Sequence, residues 1–108
     1  MNYNVELSEN FLKELKKLVK KFPSLKTEIA LLGETLQKDP FLGTSLGNDV
    51  YKIRISIASK NRGKSGRARV ISFVKIIDTT VYLLSIYSEG EQNDISDKEI
   101  KTLLKDYL

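Results

Sequence analysis

Two pairs of basic residues, Lys52 with Arg54 and Arg67 with Arg69, are each spaced two apart and flank the loop Lys60-Asn61-Arg62-Gly63-Lys64-Ser65-Gly66. Residues two apart on an extended chain share a face, so pairing of the two flanking segments would gather four cations on one surface, close enough to converge on one or two phosphates. Arginine's planar fork matches phosphate oxygens better than the point charge of lysine. Like charges opposed across paired strands destabilise a sheet unless something compensates. The pattern therefore asks for a polyanionic ligand, nucleic acid before others, with Lys60, Arg62, Lys64 and Arg67 as further RNA-binding candidates.

This basicity is local. All four arginines lie between Arg54 and Arg69, and the stretch from Lys52 to Arg69 holds seven basic residues and no acidic one. The remainder has eleven lysines against fourteen carboxylates, so the net charge of +4 is a +7 segment on a −3 background. With no cysteine and no histidine, thiolate nucleophiles, disulfides, most zinc sites and imidazole acid–base catalysis are excluded. Any chemistry falls to Lys, Arg, Tyr, Ser or carboxylates, with no metal and no cofactor expected. A small-molecule substrate is not expected either.

The elements that must position these residues are legible in the periodicity. At 108 residues and 41% hydrophobic content, residues 1–108 read as a single domain with one modest core. No apolar run reaches the roughly 20 residues of a membrane helix, and the N-terminus lacks the cationic and apolar regions of a signal peptide, so a cytoplasmic protein is expected. Asn2 to Glu6 alternates as a short strand, and Ser8 can cap the next helix. Phe11, Leu15, Leu18, Val19 and Phe22 recur at helical spacing, with Lys13, Lys16, Lys17, Lys20 and Lys21 on the other side. Pro23 ends this helix, and Ser24 is positioned to cap a second one with the stripe Leu25, Ile29, Leu32 and Leu36. Asp39 to Asp49, rich in turn formers, reads as a loop.

From Val50 the period becomes two, with Tyr51, Ile53, Ile55 and Ile57 on one face and Lys52, Arg54 and Ser56 on the other. A second strand over Arg67 to Ile77 and a third over Val81 to Tyr87 are joined by the Asp78-Thr79-Thr80 turn, which makes an antiparallel meander of about three strands. Ser96-Asp97-Lys98-Glu99 is a capping box opening a last helix with Ile100, Leu103, Leu104 and Tyr107 on its apolar side. Helices, then a meander, then a short helix is an α+β order.

Two other features carry less. The lysine face of the first helix is the ordinary solvated side of an amphipathic helix. The Gly63-Lys64-Ser65 step is not a Walker motif, because the first glycine is missing at the required spacing and a strand, not a helix N-terminus, follows.

Three segments in this order, Val50-Tyr51-Lys52-Ile53-Arg54-Ile55, Gly63-Lys64-Ser65-Gly66-Arg67-Ala68-Arg69-Val70-Ile71 and Val81-Tyr82-Leu83-Leu84-Ser85-Ile86-Tyr87, make the chain resemble the RelE/ParE superfamily of bacterial type II toxin–antitoxin toxins, in its RelE and HigB-like branch. The resemblance spans nearly the whole chain. It implies a RelE-like fold, a ribosome-dependent mRNA endoribonuclease and a cognate antitoxin as partner. It matches Lys52 and Arg54 to the basic pair of the family's central strand and Arg69 to the arginine of its following strand. Arg67 stands where the family often has glycine. Ser88-Glu89-Gly90-Glu91 replaces the usual Lys or Arg after the last strand, leaving Tyr87 as a polar contributor and giving Glu89 either a catalytic role or a weakening one.

A ribonuclease without metal or histidine would use the RNA's own 2′-hydroxyl as nucleophile, leaving a 2′,3′-cyclic phosphate and a 5′-hydroxyl. Arg54 and Arg69 would then stabilise the transition-state charge, with Lys52 as the candidate base and Glu89 as a rival base. Two other readings remain open at this level: a ParE-like DNA gyrase inhibitor, which would not need the converging cations, and a catalytically degenerate module that binds nucleic acid or antitoxin.

Overall fold

The computed structural model describes residues 2–58, 66–90 and 94–108. Strand β1 (Asn4–Leu7) leads into helix α1 (Glu9–Lys21), helix α2 (Leu25–Lys38), strand β2 (Thr44–Gly47), strand β3 (Val50–Ser56), strand β4 (Arg67–Lys75), strand β5 (Thr80–Ser88) and helix α3 (Asp97–Leu104). The strands form one sheet in the order β1-β5-β4-β3-β2, with β1 parallel to β5 and every other pairing antiparallel. This is the α+β arrangement expected, with the meander β3-β4-β5 at its centre.

Capping decides where the helices start. Ser8 accepts from the Phe11 N–H at 3.0 Å, and Ser96 forms a full capping box with Glu99, as the sequence predicts. Ser24 differs. Its backbone is already helical and its hydroxyl makes no cap bond, donating instead to Glu28 at 3.1 Å. The Phe22-Pro23-Ser24 turn is continuous enough with α2 that no extended cap residue separates them.

The segment read as a loop contains β2. Its signal is the two-residue turn Asn48-Asp49, both in the left-handed region at φ 54° and 63°, which closes a hairpin onto Val50 without any hydrophobic alternation to announce it. Gly43 makes the approach possible: at φ 105°, an added Cβ would lie 2.5 Å from the carbonyl oxygen of Lys52. At its other end β4 stops at Lys75, two residues short of expectation, because Ile76–Asp78 winds into a 3₁₀ turn closed by Thr79 in the left-handed region.

Both faces of the sheet are covered. Helices α1 and α2 pack Phe11, Leu18, Leu25, Ile29, Leu32 and Leu36 on one face, against Ile53, Val70, Val81, Leu83 and Ile86. Helix α3 closes the other face, with Ile100 and Leu104 against Val50, Ile71, Phe73, Leu84 and Tyr87. Hence the near-continuous apolar run Val70-Ile71-Ser72-Phe73-Val74, the signature of a strand buried on both sides.

Strand β5 carries a bulge. Ile71 pairs with Ser85 and Ser72 with Leu83, so Leu84 has no partner of its own. Leu83 and Ile86 then share the α1/α2 face, while Leu84 and Tyr87 share the α3 face. A regular alternation would have sent Tyr87 to the same side as Leu83.

Gly43→Ala tests the β2–β3 junction. Positive φ and the approach to the Lys52 backbone together predict a loss of at least about 1 kcal/mol, read as a lower urea midpoint at unchanged slope.

Candidate active site

The antiparallel register of β3, β4 and β5 places Arg54 directly opposite Arg69, and Arg69 directly opposite Tyr87. Lys52 lies two residues along β3 on the same face, opposite Ile71. Three of the expected catalytic side chains thus form one row across adjacent strands, with the fourth beside it, all on the α3 face. Arg67, opposite Ser56, continues the face at its exposed end. Lys60, Arg62 and Lys64 lie outside the described residues.

Glu89 is part of the cluster. Its Oε1 accepts from Arg69 Nε at 2.8 Å and lies 3.4 Å from Arg54 Nε. The carboxylate is the anion that directly opposed arginines require, so the two cations are compensated within the chain. Glu89 and Arg69 side chains are only 9% and 14% exposed, whereas Arg54 is 58% exposed. The buried partner of the pair is Arg69, and Arg54, though paired with Glu89, is the arm that solvent reaches.

Asp94, which no spacing in the sequence singles out, closes the other side. Its Oδ1 lies 3.7 Å from Lys52 Nζ and 3.9 Å from a terminal nitrogen of Arg69, and it accepts from the Tyr87 hydroxyl at 3.4 Å and from the Ile95 N–H at 2.9 Å. Lys52, expected among cations alone, has this carboxylate beside it.

The electrostatics follow from these contacts. The hydrogen bond from Arg69 holds the Glu89 carboxyl below its ordinary range, helped by the charges of Arg69, Arg54 and Arg67 and opposed by burial. Asp94 is also lowered, first by the Ile95 N–H and then by Lys52 and Arg69 against the cost of burial. Burial pushes the Tyr87 phenol above its ordinary value; the hydrogen bond with Arg69 works against this and the charge of Asp94 adds to it. Tyr87 is a neutral hydroxyl across the physiological range. Among the described residues no cluster of acidic side chains could hold a metal ion, and no helix is long and apolar enough to cross a membrane.

The model of the RelE toxin of the RelE/RelB toxin–antitoxin system matches residues 34–106, two thirds of the chain and every residue of this cluster. The chain belongs to the RelE toxin family. Two solved structures share its fold. One is the free Escherichia coli toxin RelE carrying two arginine-to-alanine changes, 20% identical, with a TM-score of 0.63 and full coverage of both chains. The other is the intact Escherichia coli RelBE toxin–antitoxin complex, 24% identical, with a TM-score of 0.54 over 80% of this chain and 95% of that one. The RelE family match thus contains the whole β3-β4-β5 row together with Glu89 and Asp94.

A depressed Glu89 carboxyl contributes stability that is complete above its ordinary value of 4.5 and is lost as pH falls through its lower folded value. Glu89→Gln should therefore flatten the acid limb of the stability curve below about pH 4.5, with urea midpoints measured from pH 7 to pH 3 as the readout.

Proposed function

We propose that this RelE-family chain is a metal-independent endoribonuclease acting on mRNA held by the ribosome, and that a cognate antitoxin silences it. The observation that carries the reading is the Arg54–Arg69–Tyr87 row with Lys52 beside it: four hydrogen-bond donors on one face of three adjacent strands. The structural likeness to a toxin solved with its antitoxin supports the partner, and the chain's cationic segment favours an acidic one.

In this mechanism the 2′-hydroxyl oxygen attacks the adjacent phosphorus, the bond to the 5′ oxygen breaks, and a 2′,3′-cyclic phosphate and a 5′-hydroxyl remain. Arg54 and Arg69 bind the non-bridging oxygens as negative charge builds on them, taking the phosphate in the place that Glu89 Oε1 now holds. Lys52 takes the 2′ proton. That role requires a neutral amine, and therefore requires Asp94, an exposed side chain, to turn away when RNA is bound. Tyr87, a neutral phenol beside Arg69, gives its proton to the leaving 5′ oxygen as the bond to phosphorus breaks, and is reprotonated from water while Lys52 releases the 2′ proton to solvent. A carboxyl held as low as that of Glu89 accepts protons poorly near neutral pH, so Glu89 is assigned the task of holding the two arginines together until RNA takes its place.

Induced expression in a bacterium tests this. The native chain should arrest translation and leave mRNA fragments with 5′-hydroxyl ends, and Arg69→Ala should relieve the arrest, lowering cleavage by about 10²–10³-fold while remaining folded. DNA damage and filamentation without translation arrest would instead indicate a gyrase inhibitor, and no effect from soluble protein a binding module.

A further inference from the structure

The bulge that turns Tyr87 toward Arg69 is held from the opposite side of the sheet. Strand β1 covers the edge of β5 only as far as Leu7 opposite Leu83. Beyond it, α1 side chains take over the edge. The Leu84 carbonyl accepts from Asn10 Nδ2 at 2.9 Å and from Ser8 Oγ at 3.3 Å. Glu14 Oε1 accepts from the Ser85 hydroxyl at 2.7 Å, from Asn10 Nδ2 at 2.8 Å and from the Ile86 N–H at 3.3 Å. One carboxylate oxygen thus holds the two residues that directly follow the bulged Leu84.

We propose that Glu14, with Asn10, is a positioning residue for the candidate active site, fixing the β5 bulge in the phase that presents Tyr87 and Glu89 to Arg69. The proposal rests on the reading of that face as the RNA-cleaving site. A bulge leaves a strand free to slip back into regular alternation unless its displaced backbone groups are satisfied. Here Asn10 and Glu14 satisfy a carbonyl and an amide that no neighbouring strand reaches on that edge. Regular alternation would carry Tyr87 to the α1/α2 face and bring Ile86 toward the cations, removing the phenol and the Glu89 carboxylate from Arg69 together. Glu14 makes no contact with the row, so its influence travels through the Ser85 hydroxyl and the Ile86 N–H of β5.

The test compares Glu14→Ala, Glu14→Gln and Ser85→Ala with the native chain, using two readouts. The first is the titration of Tyr87 followed by NMR of ring-labelled tyrosine, which needs no activity. Burial raises the native phenol while its hydrogen bond with Arg69 lowers it; Glu14→Ala, by carrying the ring from Arg69 to the buried α1/α2 face, should raise it further, and Glu14→Gln, which keeps an acceptor oxygen, should restore the native titration. The second is RNA cleavage on ribosomes, where Glu14→Ala should lower kcat by about 10²-fold with KM little changed, since the site loses its proton-donating phenol. Folded Glu14→Ala with an unmoved Tyr87 titration would overturn the proposal. Should Glu14→Ala fail to fold, Ser85→Ala decides in its place: a raised Tyr87 titration supports the clamp, and an unmoved one refutes it. A native chain that cuts no RNA would refute the ribonuclease reading while leaving the titration to judge Glu14.

Discussion

Arg54 and Arg69 face each other across a strand pair, and the rest of the site is arranged around that opposition. Two unit charges about 4 Å apart near a protein surface repel by roughly 4 kcal/mol, and pairing β3 with β4 in this register needs an anion to offset the repulsion. Glu89 supplies it through a single oxygen shared by both guanidinium groups. The charge-assisted hydrogen bond from Arg69 contributes about 1.5–3 kcal/mol, and the ion pair from the exposed Arg54 adds less. The same geometry describes what a phosphate would have to do to replace the carboxylate. A ligand with a tetrahedral array of oxygens can satisfy both forks at once, which one carboxylate oxygen does less completely. The resting site still carries one net positive charge, with Lys52, Arg54 and Arg69 against Glu89 and Asp94.

Rigidity comes from the two cores. Strand β4 is buried on both faces, by α1 and α2 on one side and by α3 on the other. Arg69 is thus anchored on a strand covered on both faces, with little exposure of its own. Arg54 and Asp94, the most exposed members of the cluster, sit on either side of it. The arrangement combines a fixed central cation with adjustable flanking groups, which suits a site that must exchange its own carboxylates for an incoming polyanion.

Much of this was legible in the sequence. Period-two alternation from Val50 put Lys52 and Arg54 on one face, and the Gly/Ser/Lys/Arg loop implied the pairing that brings Arg69 opposite. The capping box at Ser96 located α3. Other features had no local signal. Strand β2 lacks hydrophobic alternation because it is an exposed edge, held by a turn and by Gly43. The bulge in β5 breaks parity within the run Leu83-Leu84-Ser85-Ile86, where every residue is buried and alternation leaves no trace in polarity. Tyr87 could therefore be suspected from its chemistry but not assigned a face. Asp94 and Glu14 act through contacts distant in sequence, Glu14 to β5 across 71 and 72 positions, and such contacts are invisible to spacing rules. Opposed arginines predicted a missing anion, and the anion was the residue that first looked like a departure from the family.

The parallel pairing of β1 with β5 has a kinetic consequence. Residues 4–7 find their partners only at residues 80–83, so the N-terminal strand waits for most of the chain before it can dock. Contacts of such long range must bear the loop-closure entropy before any burial compensates it, which slows folding relative to a helical protein of this size. During synthesis α1 and α2 emerge early, but the sheet edge they complete does not yet exist. The cationic row, spread over β3, β4 and β5, is assembled in the same late step. A nascent chain therefore carries the residues of the site well before it carries the site.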